Sequence, residues 1–393
     1  MKLYSENNDY KLYNGNMLDM LQVIPENSIT SIVSDPPYEL GFMNRKWDKS
    51  GIAFNIEAWK TCLKVLKPGG YLVAFCGSRT FHRMVCAIED AGFEIRDVIM
   101  WIYGSGMPKS SNVGKMLEKK FGHSVDDEFY KYGNALKPAY EPIVIARKPF
   151  DCSMLENMFY NNVGALNIDE CRISFINDKD VFNYKFNMDA NNRMSQSDGE
   201  KHHRFDGGYK VMKGEREIPE GRFPANVILT YNDNDYREVC SGFKNEENRY
   251  FYCAKASRKD RDEGLEDFEL VTRSDRNPEL ETANNQFNRS GVARKNFHPT
   301  CKPVDLMKYL VRLVTPKGGI VLDCFNGSGS TGKAVMSENY DRNANYKYIG
   351  IELTEEYLPI AKARIEYAIK YDLKEEKIKS KKEKQITEDI CLW

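Results

Sequence analysis

The stretch IVLDCFNGSGSTGKAV runs from Ile320 to Val335. It opens as a short apolar run without charge, passes glycines at 327, 329 and 332, and closes on residues that suit a helix. A strand turning through glycines into a helix is where an open parallel sheet binds ligands, because missing Cβ atoms let backbone amides approach a cofactor. Twenty residues past Gly332, Glu352 ends the next apolar run, YIGIE, where an acid can accept both hydroxyls of a ribose. Two other readings compete for the loop. Gly327 to Ala334 falls one residue short of the phosphate-binding pattern G-x-x-x-x-G-K-[ST], since Ala334 offers no hydroxyl to Mg²⁺. Gly327, Gly329 and Gly332 also satisfy the dinucleotide spacing G-x-G-x-x-G. Alone, the loop specifies an adenosine-containing ligand and leaves its kind open.

Outward from this loop the chain alternates. Short apolar runs fit strands buried on both faces at 29–33, 71–75, 94–103, 142–146, 320–322 and 346–351. Helical segments are expected at 57–66, 80–91 and 306–314, and again after Leu353 with Thr354 as N-cap. This rhythm predicts an α/β protein with a doubly wound, Rossmann-like sheet. It fails from about 150 to 295, where polar stretches such as NMDANNRMSQSDGEKHHRFDGG surround islands at 165–173, 223–229 and 250–253. The expected division is therefore 1–149 and 296–370 as two halves of one domain, 150–295 as a loop-rich insertion, and 371–393 as a charged extension.

Composition narrows the class. The 393 residues, 41% of them apolar, can build a large core. Neither an apolar run of about 18 residues nor a secretory leader is visible, so no membrane is expected and a cytoplasmic location follows. Ten irregularly spaced cysteines without a Cys-x-x-Cys pair, and five histidines, indicate neither a metal site nor a disulfide framework. The net charge of -1 is unevenly spread: 286–312 holds six lysines or arginines and one acid, while 262–269 holds five acids. A basic run suits a phosphate backbone, although plain solvated surface is its commoner meaning.

The run at 29–33 ends in Ser34-Asp35-Pro36-Pro37-Tyr38, a carboxylate, a rigid kink and an aromatic ring. Such a turn could be ordinary loop chemistry. Taken together, however, DPPY at 35–38, HPTCKP at 298–303 and DCFNGSGSTG at 323–332 make the sequence resemble the DNA amino-methyltransferases. Their order resembles the circularly permuted beta class, over about 12–369 apart from the insertion. NGNMLD at 14–19 and LKPGG at 66–70 extend the likeness, and GALNIDECRI, GRFPANVIL and RYFYCAKASRKDR look like a phage or prophage branch. Cys324 stands where a proline is common in that family.

The resemblance implies S-adenosylmethionine as cofactor and double-stranded DNA as partner. It implies transfer to the exocyclic amine of a flipped adenine, or of cytosine N4, where serine is the commoner first residue of the motif. Asp35 and the Pro36 carbonyl would each accept an amine hydrogen, Pro37 would hold the kink, and Tyr38 would stack on the base. Cofactor contacts are expected from Asp19, Asp35, His298, Thr300, Lys302, Asp323, Phe325, Gly327, Gly329, Thr331 and Glu352. DNA contacts are expected from Arg45, Lys46, Trp47, Lys109, Arg204, Arg222, Lys255 and Arg258, with core packing an equal alternative for Trp47. The insertion is assigned to target recognition. The resemblance leaves open a homodimer and a cognate restriction nuclease. Transfer to RNA or to a protein amide, or a catalytically silent nucleic-acid-binding module, are the competing readings.

Overall fold

A computed structural model describes residues 2–41, 46–104, 106, 110–175, 178, 180–182, 185, 219–231, 250–271 and 294–370. Twelve strands fall among them: β1 (Lys2–Glu6), β2 (Tyr10–Asn14), β3 (Ile29–Ser34), β4 (Leu66–Phe75), β5 (Glu94–Tyr103), β6 (Tyr140–Arg147), β7 (Ile173–Ser174), β8 (Gly221–Arg222), β9 (Val227–Thr230), β10 (Phe251–Tyr252), β11 (Ile320–Asp323) and β12 (Lys347–Glu352). Ten form one sheet in the order β1-β2-β12-β11-β3-β4-β6-β5-β9-β10, and β7 pairs with β8. From β2 to β4 the pairing is parallel, whereas β6 runs antiparallel to both β4 and β5.

The central strands are short and apolar because helices cover both faces, leaving no solvated side for alternation. On one face lie α1 (Met17–Met20), α2 (Ile56–Val65) and α3 (Phe81–Asp90), burying Met20, Trp59, Cys62, Met84 and Ile88. Past α4 (Val113–Phe121), α5 (Met154–Asn161) and α6 (Arg258–Asp262), the other face receives α7 (Val304–Val314), α8 (Ser330–Arg342) and α9 (358–370). These bury Leu306, Leu310, Val335, Leu358 and Ile365.

Four features depart from the sequence reading. The hairpin β1–β2 is an addition, with β2 completing the parallel array beside β12. β4 contains the Pro68-Gly69-Gly70 turn as a bulge, since its partners jump from Leu66 to Tyr71 while β3 advances from Ile29 to Ser31. The stretch 150–295 is not separate from the sheet, because β9 and β10 extend it beyond β5. Thr354 is the N-cap position of a single turn, Glu355–Tyr357, but its side chain makes no capping bond. The extension 371–393 lies outside the described residues.

α7 and α8 are tied by a fork: Arg312 Nε donates to Glu338 Oε2 at 3.0 Å and Nη2 to Oε1 at 2.5 Å, with the glutamate side chain fully buried. Removing one partner of such a pair strands a buried charge. Glu338→Ala is expected to destabilise the fold by about 3 kcal/mol, read as a lower denaturant midpoint at unchanged slope.

Candidate active site

β3 and β11 are parallel neighbours, and the chain leaves them in opposite directions, to β4 on one side and β12 on the other. The ends of two such strands form the crevice where doubly wound sheets bind ligands. Here Asp35-Pro36-Pro37-Tyr38 follows β3 and the glycine loop follows β11. Asp323 bolts the two together: Ser34 Oγ and the Phe325 amide (3.0 Å) donate to its Oδ1, and Thr331 Oγ1 donates to Oδ2 at 2.6 Å. Burial pushes its carboxyl up to about 6, against those three donors. Asp323 and Thr331 border the crevice, but their bonded oxygens serve this turn.

The crevice encloses about 600 Å³ and takes its walls from both halves of the chain. Gly327 has φ of 50°, and a Cβ there would lie 2.9 Å from His298 Nε2, so the imidazole and the bare backbone are mutually fitted. His298 Nδ1–H donates to the Thr300 carbonyl and the ring sits edge-on to Tyr357. Burial lowers its value to about 4, so it is neutral near pH 7. Gly329 opens α8 at φ 73°, where a Cβ would come within 2.9 Å of Ala361 Cα. Glu352 accepts the Gly327 amide at 2.7 Å and the Thr354 amide at 2.8 Å, and burial raises its carboxyl to about 7. Phe325 and Thr300 complete this side.

At the other end Lys302 Nζ donates to Asp35 Oδ2 at 2.6 Å and to the Tyr38 hydroxyl at 3.2 Å, and lies 3.5 Å from Glu141 Oε2. The Tyr38 hydroxyl donates to Glu141 Oε2 at 2.6 Å. Burial holds the Asp35 carboxyl above the ordinary aspartate value although Lys302 opposes it. Burial pulls the Lys302 ammonium down, but Asp35 and Glu141 outweigh it and leave it above the usual lysine value. Asp35 Oδ1 is buried with no hydrogen-bond partner in the structure. An acceptor so placed is costly unless something arrives to fill it.

The expected residues are not all brought together. Asp35, Pro36, Pro37, Tyr38, His298, Thr300, Lys302, Asp323, Phe325, Gly327, Thr331 and Glu352 line one cavity. Asp19 points outward from α1 while its neighbours Asn16, Met17 and Leu18 line the wall. Lys302, expected on the cofactor, grips the Asp35 carboxylate. Arg45, Lys109 and Arg204 lie outside the described residues, as do the side chains of Lys46 and Trp47. Arg222 is half-buried, paired with Asp180 and 5.7 Å from the Phe175 ring. Lys255 is exposed over the Tyr103 ring at 4.1 Å, and Arg258 is exposed beside Asp262 at 3.7 Å.

Glu141 was missed by the sequence reading. Its only signal is an acid abutting the apolar run 142–146, the same juxtaposition that marks Asp35.

The arrangement is a doubly wound, largely parallel sheet in which the Asp35–Tyr38 turn precedes the glycine loop along the chain. Residues 29–363 match the N6_N4_Mtase family of DNA methylases, and the chain belongs to that family. It is similar to the type II methyltransferase M.HindIII of Haemophilus influenzae, 22% identical over 200 residues, 40% of this chain and 64% of that one. With M.HpaI of Haemophilus parainfluenzae it shares 32% over 109 residues, 26% and 34% of the two chains. With the DNA adenine methyltransferase YhdJ of Escherichia coli K12 it shares 36% over 86 residues, 22% and 27%. The chain thus spans less than two thirds of the length of each of these relatives. The PvuII DNA methyltransferase (cytosine-N4-specific) structure superposes with a TM-score of 0.46 at 15% identity, covering 92% of this chain and 90% of that one. Among the described residues no helix is long and apolar enough to cross a membrane, and no cluster of side chains could hold a metal ion.

Because Glu352 titrates at about 7 when folded against an ordinary 4.5, the folded chain keeps a proton that the unfolded one releases. Its contribution to stability is full below pH 4.5 and is lost as pH rises to about 7. Glu352→Gln should therefore flatten the melting temperature of the ligand-free protein between those limits. A slope equal to that of the native protein would show that Glu352 is not the titrating group.

Proposed function

We propose that this chain transfers the methyl group of S-adenosylmethionine to the N6 amine of an adenine flipped out of duplex DNA. The observation carrying the reading is the unfilled Asp35 Oδ1, fixed by the grip of Lys302 on Oδ2, in the same cavity as the glycine loop and Glu352. The residues present suit the cofactor. Glu352 is a buried carboxyl group with lone pairs beyond those taken by two amides, which suits ribose hydroxyls, and the Gly327 backbone is open to close approach. When bound, S-adenosylmethionine supplies a methyl group on a positive sulfur, an electrophile that needs no covalent enzyme intermediate.

The protein's part is orientation and charge. An exocyclic amine is a weak nucleophile because its lone pair is delocalised into the ring. Asp35 Oδ1 and the Pro36 carbonyl accept its two hydrogens and leave the lone pair free to point at the methyl group. Two carboxylates, Asp35 and Glu141, face one ammonium, Lys302, so the cluster carries net negative charge where the amine becomes positive. Tyr38, held through its hydroxyl, offers its ring to the flipped base and offsets part of an extrusion cost of a few kcal/mol. The insertion supplies target recognition, with Lys255 exposed over the Tyr103 ring and Arg258 exposed at the start of α6. Adenine is favoured by the aspartate that opens the motif and by the likeness to a DNA adenine methyltransferase.

Single-molecule sequencing of genomic DNA from a methylation-deficient host expressing the chain tests this directly. N6-methyladenine is expected at one short motif, with Asp35→Ala reducing the rate about 100-fold or more. N4-methylcytosine alone would overturn the base, and unmodified DNA would overturn the reaction. Glu352→Ala is expected to weaken cofactor binding about tenfold by calorimetry, the loss of a charge-assisted contact, and unchanged affinity would remove it from the cofactor site.

A further inference from the structure

We propose that Glu141 is a positioning residue of this reaction, holding the Tyr38 ring and the Lys302 ammonium that together prepare Asp35 for the amine. The inference rests on the methyl-transfer reading above. Glu141 stands near the start of β6, the strand antiparallel to both of its neighbours, and therefore projects from the β6 end that meets the crevice. Its oxygens divide the work. Oε2 accepts the Tyr38 hydroxyl at 2.6 Å and lies 3.5 Å from Lys302 Nζ, while Oε1 accepts the Tyr103 hydroxyl at 3.1 Å. Tyr103 thus fixes the carboxylate from β5, and the carboxylate fixes the other two. A phenol with its hydroxyl pinned cannot swing about χ1, so the axis of the ring stays where a base would have to stack.

The second effect is electrostatic. Facing Glu141 are Asp35 and Tyr38 after β3, Cys76 after β4, Tyr103 at the end of β5 with Lys255 over its ring, and Lys302 ahead of α7. Lys302 is the cation in direct contact. The negative charge of Glu141 helps keep Lys302 protonated and also raises the Asp35 carboxyl. Withdrawing that charge while keeping the shape must lower Asp35 and shift the pH at which it becomes an acceptor.

Single-turnover rates with labelled S-adenosylmethionine and unmethylated genomic DNA, measured across pH, test this in the full chain. Glu141→Gln retains an acceptor for Tyr38, and is expected to slow transfer about tenfold while moving the acid limb of the rate to lower pH. Its affinity for S-adenosylmethionine alone should stay within about twofold, which separates positioning from a general loss of structure. Glu141→Asp keeps the charge but shortens the reach, so its acid limb should stay with the native one while its rate falls. That variant carries the test even where Glu141→Gln does not fold. A native enzyme that methylates DNA beside a Glu141→Gln enzyme of equal rate and equal acid limb would overturn the role of Glu141. Equal rate in Glu141→Asp, or loss of cofactor affinity in step with rate, would also overturn it. A native chain that transfers nothing to DNA overturns the reaction itself, and the role of Glu141 with it.

Discussion

The contact between Lys302 and Asp35 joins residues 267 positions apart and makes two stretches of chain into one site. Asp35 comes from the turn after β3, and Lys302 from the segment that feeds α7. Neither end is fixed by its own neighbours alone. Asp35 is held because Ser34, next to it, donates to Asp323 across the β3–β11 pairing, and Lys302 because Pro303 leads into a helix buried along one side. A buried ion pair contributes little net stability, since desolvating both ions roughly cancels their attraction. What it contributes here is placement: one carboxylate oxygen is occupied and the other is left without a partner, on a residue that lines the cavity.

The same bookkeeping of charge explains the uneven distribution along the chain. The basic run 286–312 contains Lys302, Lys308 and Arg312, which pair with Asp35, Asp341 and Glu338. They are internal fasteners, and a phosphate backbone would find them already engaged. The acidic run is used likewise. Glu263 takes Lys333 at 2.8 Å, and Asp262 Oδ1 accepts the Asn296 amide at 3.1 Å. Lys333, the residue that gives the glycine loop its resemblance to a phosphate-binding pattern, is engaged by Glu263 and Asp260.

Much of this was legible in sequence where one residue type has one physical use. Short, mostly apolar runs at 29–33, 320–322 and 346–351 match β3, β11 and β12 to within a residue, because a strand buried on both faces tolerates little else. The proline pair after Asp35 and the glycines at 327 and 329 marked the two loops for the same reason: few other residues could occupy those backbones. Illegible were relations across the fold. Glu141 sits in a strand start that reads like any other, and only the pairing of β6 with β4 and β5 brings it to Tyr38. Lys302 stands out in sequence as part of HPTCKP, but nothing local says that it ends on Asp35. The hairpin β1–β2 does not stand out in sequence, because its polar alternation resembles a solvated terminus.

The insertion illustrates the same limit at a larger scale. Read along the chain, 150–295 is an insertion, but its α6 segment reaches into the half that carries the glycine loop. Arg364, fully buried on α9, donates through Nη1 to the Ser328 carbonyl at 2.7 Å and to Ser330 Oγ at 3.2 Å, and through Nη2 to the Asp260 carbonyl at 3.2 Å. Arg261 donates to the His298 carbonyl at 3.0 Å, and the Asp260 carboxylate accepts the Val304 amide at 3.3 Å. One guanidinium thus spans α6 and the glycine loop, and Asp260 and Arg261 of α6 hold the segment carrying Lys302. Any displacement of α6 must be met by the glycine loop that walls the crevice and by the segment of the lysine that holds Asp35, because hydrogen bonds tie α6 to both. Region and core are therefore one mechanical unit at this end, although the sequence between them loses its α/β rhythm.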